Sequence, residues 1–189
     1  MRILFLGPKR EHLINYLLTT GDEVLSWEGP LKKGFPIMKS INFIISYGYR
    51  YLLSKEIINS FQKRAINLHI SLLPWNRGAD PTLWSFLDNT PKGVTIHYMN
   101  YGVDTGDILI QQEIELCGDE TLKSSYDKLS KTIESLFKEK WLLIRNQKIK
   151  GRPQEGKGSF HLSKDRSKVE HLLIKGWETP IQYLIERKL

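Results

Sequence analysis

Asn67-Leu68-His69-Ile70-Ser71-Leu72-Leu73-Pro74 reads as an apolar strand that carries two polar residues and breaks at a proline. Side chains two apart on a strand share a face, so Asn67 and His69 point the same way. That face pairs an imidazole able to take a proton with an amide able to donate to one oxygen, the minimum kit for acyl transfer. Alone, an Asn-x-His pair is more often two satisfied polar groups at a sheet edge. The residues around it decide between the two.

Working outward, Gly93-Val94-Thr95-Ile96-His97-Tyr98-Met99 alternates as a second strand, and Gly102-Val103-Asp104-Thr105-Gly106-Asp107-Ile108-Leu109 follows it. Two aspartates around Gly106 mark a tight loop between strands. Asp104 is a carboxylate that this loop can set beside the imidazole of His69, so Asn67, His69 and Asp104 form a candidate catalytic set.

These motifs, with Pro74-Trp75-Asn76-Arg77-Gly78 continuing the first, resemble the 10-formyltetrahydrofolate-dependent formyltransferases, a family that includes glycinamide ribonucleotide, methionyl-tRNA and sugar-nucleotide N-formyltransferases. The likeness runs from Met1 to about Phe160 and is nearest to the short sugar-amine formyltransferases and the formyltransferase domain of linear gramicidin synthesis. It implies an α/β, Rossmann-like fold: a mostly parallel sheet with flanking helices, an abbreviated N-terminal half and a short helical C-terminal tail. It also implies a folate co-substrate and attack by an amine on the formyl carbon. Asn67 would donate to the oxyanion; His69 would accept the amine proton or, if cationic, help hold the oxyanion; Asp104 would orient His69 and pass a proton to the leaving nitrogen. In this register the segment with Tyr47, Gly48, Tyr51 and Leu53 and the loop Asn100, Tyr101, Gly102 and Val103 would wall the pterin. Tyrosines at 47, 49 and 51 equally fit a half-buried strand end.

Composition places no obstacle in the way. The 189 residues suit one catalytic domain over 1–150, with 151–159 as a Gly/Lys/Pro-rich linker and 160–189 as a short tail packed on or beside it. No apolar run is long enough to span a membrane and no signal-peptide core is present, which points to the cytoplasm. The single cysteine, Cys117, excludes an internal disulfide and reads as structural, and no Cys/His cluster has zinc-ligand spacing, so no metal is expected. A net charge of +7 is spread without a basic stripe, which argues against nucleic acid.

Along the chain, residues 2–7, 23–27, 41–47, 67–71, 92–100 and 108–116 read as strands and 11–20, 54–61 and 82–89 as helices. A long amphipathic helix follows Asp119, its expected N-cap; its apolar stripe from Leu122 to Trp141 suits a core first and a homodimer interface second. The first loop, Gly7-Pro8-Lys9-Arg10, lacks a dinucleotide fingerprint, yet Lys9 and Arg10 stand where α/β sheets hold phosphates. Pro8, Lys9 and Arg10, with the rim residues Trp75, Asn76 and Arg77, are therefore the expected contacts of a nucleotide-linked amino sugar. A tail this short does not match the tRNA-gripping barrel of methionyl-tRNA formyltransferases, and no adenylation domain follows as in an assembly line. Glycinamide ribonucleotide is disfavoured because Gly-Pro-Lys-Arg replaces a Gly/Ser/Asn-rich phosphate loop, and a non-enzymatic folate-binding module because the Asn, His and Asp set is intact.

Overall fold

Short runs of β-branched and aromatic residues bounded by Gly, Pro and Asn build the sheet. The computed structural model describes residues 1–31 and 34–187, so parts of the 28–39 connector and the last two residues of the tail lie outside the described residues. Strands β1 (Arg2–Leu6), β2 (Glu23–Trp27), β3 (Phe43–Ser46) and β4 (Ala65–His69) pair in parallel in the order β2-β1-β3-β4. Helix α1 (Glu11–Thr19) crosses from β1 to β2, and α2 (Lys55–Ser60), capped by Ser54 Oγ, crosses from β3 to β4. In the connector before β3 the only regular element among the described residues is a 3-10 turn, Pro36–Ser40, which keeps this half abbreviated.

Both faces of this sheet are covered, which is why its strands are continuously apolar. Ile3, Phe5, Phe43, Ile45, Ile66 and Leu68 face α1 and the long helix α4 (Leu122–Arg145), whereas Leu4, Leu6, Ile44 and Ala65 face α2 and the connector. The α4 stripe, with Leu129, Ile133, Phe137, Trp141 and Ile144, is buried in the first of these cores and so is not free for a partner. Its N-cap is Thr121 rather than Asp119, because the Thr121 and Ser124 hydroxyls close a capping box. Trp141 Nε1 donates to Asp22 across the core at 3.0 Å.

Strand β4 ends at His69, two residues before the expected limit, because the chain then turns into the 72–80 loop. That loop contains a two-residue strand, β5 (Arg77–Gly78), and leads to α3 (Pro81–Leu87). Strand β6 (Gly93–Tyr98) runs antiparallel to β4 and β7 (Ile108–Glu113) antiparallel to β6, closing the six-stranded sheet. The 151–159 stretch, read from sequence as a linker, turns back onto the sheet and delivers β8 (Phe160–His161) to pair with β5. The expected helical tail is, from Val169 onward, broken into 3-10 turns and one short helix, α5 (Ile181–Ile185), since Gly176 adopts φ +55° and Pro180 blocks continuation. It packs on α3 and the start of α4 through Leu83, Trp84, Leu122, Val169, Ile181 and Leu184.

Candidate active site

Register brings the first polar groups together. Asn67 and His69 project from the same face of β4, and the antiparallel pairing sets His97 directly across from Asn67. The β6–β7 loop then folds Asp104 over them. Asp104 Oδ1 accepts from Asn67 Nδ2 at 3.0 Å and lies 3.5 Å from His97 Nε2, while Oδ2 accepts the Gly78 N–H at 2.9 Å and lies 3.6 Å from His69 Nδ1. The structure thus gathers the three residues singled out in the sequence and adds His97 as a fourth.

Two hydrogen bonds select ring tautomers. His97 Nδ1 is 2.8 Å from the Tyr98 carbonyl, so that nitrogen carries the proton and Nε2 accepts from Asn67 Nδ2 at 3.3 Å. His69 Nε2 donates to the Asn76 carbonyl at 3.0 Å, which leaves Nδ1, the nitrogen facing Asp104, with its lone pair. His69 is 6% exposed; burial lowers its pKa and the Asp104 charge only partly restores it, so the ring is neutral at pH 7. Burial pushes the Asp104 carboxyl up, but the charge of His69 in its protonated form, the neighbouring His97 and the Gly78 N–H more than offset this and hold it well below the usual carboxylate range. A neutral base therefore faces a carboxylate that would stabilise it once protonated.

The frame behind these groups comes from three separate segments. Thr95 Oγ1 donates to the Ser71 carbonyl and accepts the Leu73 N–H, and Gln111 Nε2 holds the Leu73 carbonyl at 2.7 Å. Ser159 Oγ accepts the Asn76 N–H at 2.8 Å and donates to Asn76 Oδ1 at 3.1 Å. Gln154 Nε2 donates to the carbonyls of Asp104 and Gly106 at 2.8 and 2.9 Å, and its Oε1 accepts from Arg77 Nε and Nη2 at 3.0 and 2.8 Å. Gly78 adopts φ +88° with the His161 carbonyl so near that a Cβ would strike it, which is how its N–H reaches Asp104. His161, outside every sequence motif, stacks on Trp84 at 3.8 Å and bonds Asp88, walling this region without entering it.

Three expected contacts are corrected. Asn76 was expected at the substrate rim, but it is 0% exposed and its amide is consumed by Thr90 Oγ1 at 2.7 Å and by Ser159; its function is to present its carbonyl to His69. Arg10 was expected to clamp a diphosphate, but its guanidinium lies 3.9 Å over the Tyr47 ring and pairs with Glu134 Oε1 at 3.2 Å, because α4 passes beside the first loop. Tyr47 was expected against the pterin, but its side chain is 1% exposed in the core, which leaves only its backbone for such a contact. Of the remaining first-loop residues, Pro8 and Lys9 are exposed, with Lys9 Nζ 2.5 Å from Glu11.

The other expected residues are divided between packing and exposure. Tyr49, Leu53 and Met99 pack on the sheet face shared with Asn67, while Tyr51 and Tyr101 remain exposed. Tyr101 bonds Asn59, and Asn100 Oδ1 accepts from Gly102 N and Thr105 Oγ1, tightening the loop through Val103. Trp75 is half-exposed beside the Arg77 strand. Sequence reading passed over Gln154, Ser159 and Thr90, for which no local signal exists, and undervalued His97, whose register opposite Asn67 was the available clue.

The chain is similar to known proteins. The structure of the formyltransferase PseJ from Anoxybacillus kamchatkensis, in complex with UDP-4,6-dideoxy-4-formamido-L-AltNAc and tetrahydrofolate, matches with TM-score 0.98 at 50% identity over 100% of both chains. A 4-N formyltransferase from Francisella tularensis matches with TM-score 0.79 over 89% of this chain and 78% of its own; at 24% identity the likeness is one of fold. Methionyl-tRNA formyltransferase of Alkaliphilus oremlandii (strain OhILAs) is 32% identical over 133 residues, covering 68% of this chain and 43% of that protein. The chain spans less than half the length of such curated relatives. No helix among the described residues is long and apolar enough to cross a membrane. A formyl transferase family model matches residues 38–140, over half of the sequence, and takes in Asn67, His69 and Asp104: the chain belongs to the formyl transferase family.

Proposed function

We propose that this protein moves the formyl group of 10-formyltetrahydrofolate to the amine of a nucleotide-linked amino sugar. The observation that carries this reading is the full-length likeness, at 50% identity, to PseJ in complex with a UDP-formamido sugar and tetrahydrofolate. The folate supplies an activated formyl carbon. The exposed aromatic and apolar residues Tyr51, Leu52 and Tyr101, beside half-buried Leu53, suit a pterin cleft between the 47–53 segment and the 100–104 loop.

Within that cleft His69 takes the amine proton at Nδ1, the nitrogen that the Asn76 carbonyl leaves unprotonated, and Asp104 stabilises the resulting imidazolium. Asn67 donates to the oxygen that gains charge as the amine attacks. Both of its amide protons are engaged here, and the longer bond, 3.3 Å to His97, is the one released for that oxygen. His69 then returns that proton from Nδ1 to the leaving folate nitrogen as the carbon–nitrogen bond to the folate breaks, and Asp104 stays ionised throughout. For the diphosphate, Arg77 replaces Arg10 as the cation: its fork meets only the neutral oxygen of Gln154 and it makes no ion pair among the described residues. Lys9 adds an exposed charge at the first loop.

A labelled-formyl transfer assay tests this with UDP- and dTDP-linked amino sugars, methionyl-tRNA, an aminoacyl carrier protein and glycinamide ribonucleotide. Faster formylation of any acceptor other than a nucleotide sugar overturns the acceptor assignment. Folate binding without transfer to any of them would leave a folate-binding module.

A further inference from the structure

Gln154 lies in the 151–159 stretch, outside every motif, yet all of its amide hydrogen-bonding capacity is directed at the site. We propose that Gln154 is a positioning residue that both sets the Asp104 turn and holds Arg77 for the acceptor's diphosphate, so that acceptor grip and catalytic geometry share one side chain; this rests on the formyl-transfer reading above. Asp104 has φ +52°, in the left-handed region that a residue with a side chain keeps only under support. One Gln154 amide nitrogen binds the carbonyls on either side of Thr105, those of Asp104 and Gly106, and so pins the turn at both ends. Gly106 packs so tightly under the Tyr98 carbonyl that a Cβ there would strike it.

The residue type follows from the partners. Two carbonyls require a donor with two N–H bonds, and the Arg77 fork requires an acceptor, which excludes Lys and Arg at 154. Glutamate would accept from Arg77 but would repel both carbonyls and cancel the guanidinium charge. A neutral amide leaves Arg77 fixed in direction and undiminished in charge, which suits reversible binding of an anion.

The test uses the full chain with 10-formyltetrahydrofolate and UDP-linked 4-amino sugar as acceptor. Gln154→Met keeps the volume and removes the four hydrogen bonds. It is expected to lower kcat about tenfold or more and to raise KM for the nucleotide sugar about tenfold, with KM for the folate within about twofold. In Arg77→Met the same KM rises, and adding Gln154→Met to it raises KM no further, since both changes remove one interaction. Gln154→Glu, which preserves the Arg77 fork while losing both carbonyl contacts, carries the test if the methionine variant does not fold, and is expected to bind UDP about tenfold more weakly by calorimetry. Unchanged kcat in Gln154→Met, KM effects that multiply in the double variant, or unchanged UDP affinity in Gln154→Glu each overturn the proposal. A parent enzyme that formylates no nucleotide sugar is a different failure, that of the function itself, and the UDP titration still decides the Arg77 half.

Discussion

Replacing Asn76 separates a buried positioning role from direct contact with substrate. Its side chain makes two hydrogen bonds, to Thr90 Oγ1 at 2.7 Å and from Ser159 Oγ at 3.1 Å, each worth about 1 kcal/mol net. Its backbone sits at φ +56°, where alanine pays about 1 kcal/mol that glycine avoids. Asn76→Ala should therefore cost about 3 kcal/mol and Asn76→Gly about 2, before any cavity left in a site with no exposed surface. For a chain of this length that is a fall in melting temperature of about 6–12 °C for alanine and about 4–8 °C for glycine. Thermal unfolding by circular dichroism gives these values, and steady-state kinetics beside it should show a lowered kcat, through a loosened His69, with little change in KM for the nucleotide sugar. A KM raised more than about tenfold with no change in melting temperature would mean that the Asn76 amide meets the substrate, and the reasoning from burial would be wrong.

Four further outcomes follow from the geometry. Asp104→Asn should lower kcat by on the order of a hundredfold or more; because His69 works when neutral, the acid limb of kcat/KM lies below about pH 6.5 and should move to still lower pH once the Asp104 charge is gone, so a limb that moves upward counts against the assignment. Arg10→Met should leave KM for the nucleotide sugar within about twofold while costing about 1 kcal/mol from the Tyr47 stack and Glu134 pair, measured by kinetics and denaturant unfolding. Trp141→Ala removes a wholly buried ring and its bond to Asp22 and should cost about 3–5 kcal/mol in chemical denaturation. Gly106→Ala would drive a Cβ into the Tyr98 carbonyl, so kcat should fall with the displaced Asp104 turn even where far-ultraviolet dichroism is unchanged.

Much of this site was legible from local period and turn chemistry. A two-residue repeat puts Asn67 and His69 on one face whatever the strand packs against, and a Gly/Asp loop between alternating strands brings a carboxylate within reach. The apolar stripe of α4 and the buried strands were likewise written in spacing alone. Long-range pairing decided the rest. The antiparallel register of β6 made His97 a neighbour of Asn67, and the return of residues 151–161 over the sheet enlisted Gln154 and Ser159. The path of α4 past the first loop withdrew Arg10 into a pair with Glu134, and the fold of the 72–80 loop buried Asn76, which a polar, aromatic rim sequence gives no reason to expect. Sequence by itself determines which residues can do chemistry and which face they share, because those depend on neighbours two to four positions away. Which of them meet and which polar groups are spent on one another depend on partners 14 to 124 positions distant, and even the short-range carbonyls that set the histidine tautomers, Asn76 for His69 and Tyr98 for His97, reach the rings only once the 72–80 loop and β6 are folded, so the tertiary structure alone settles those.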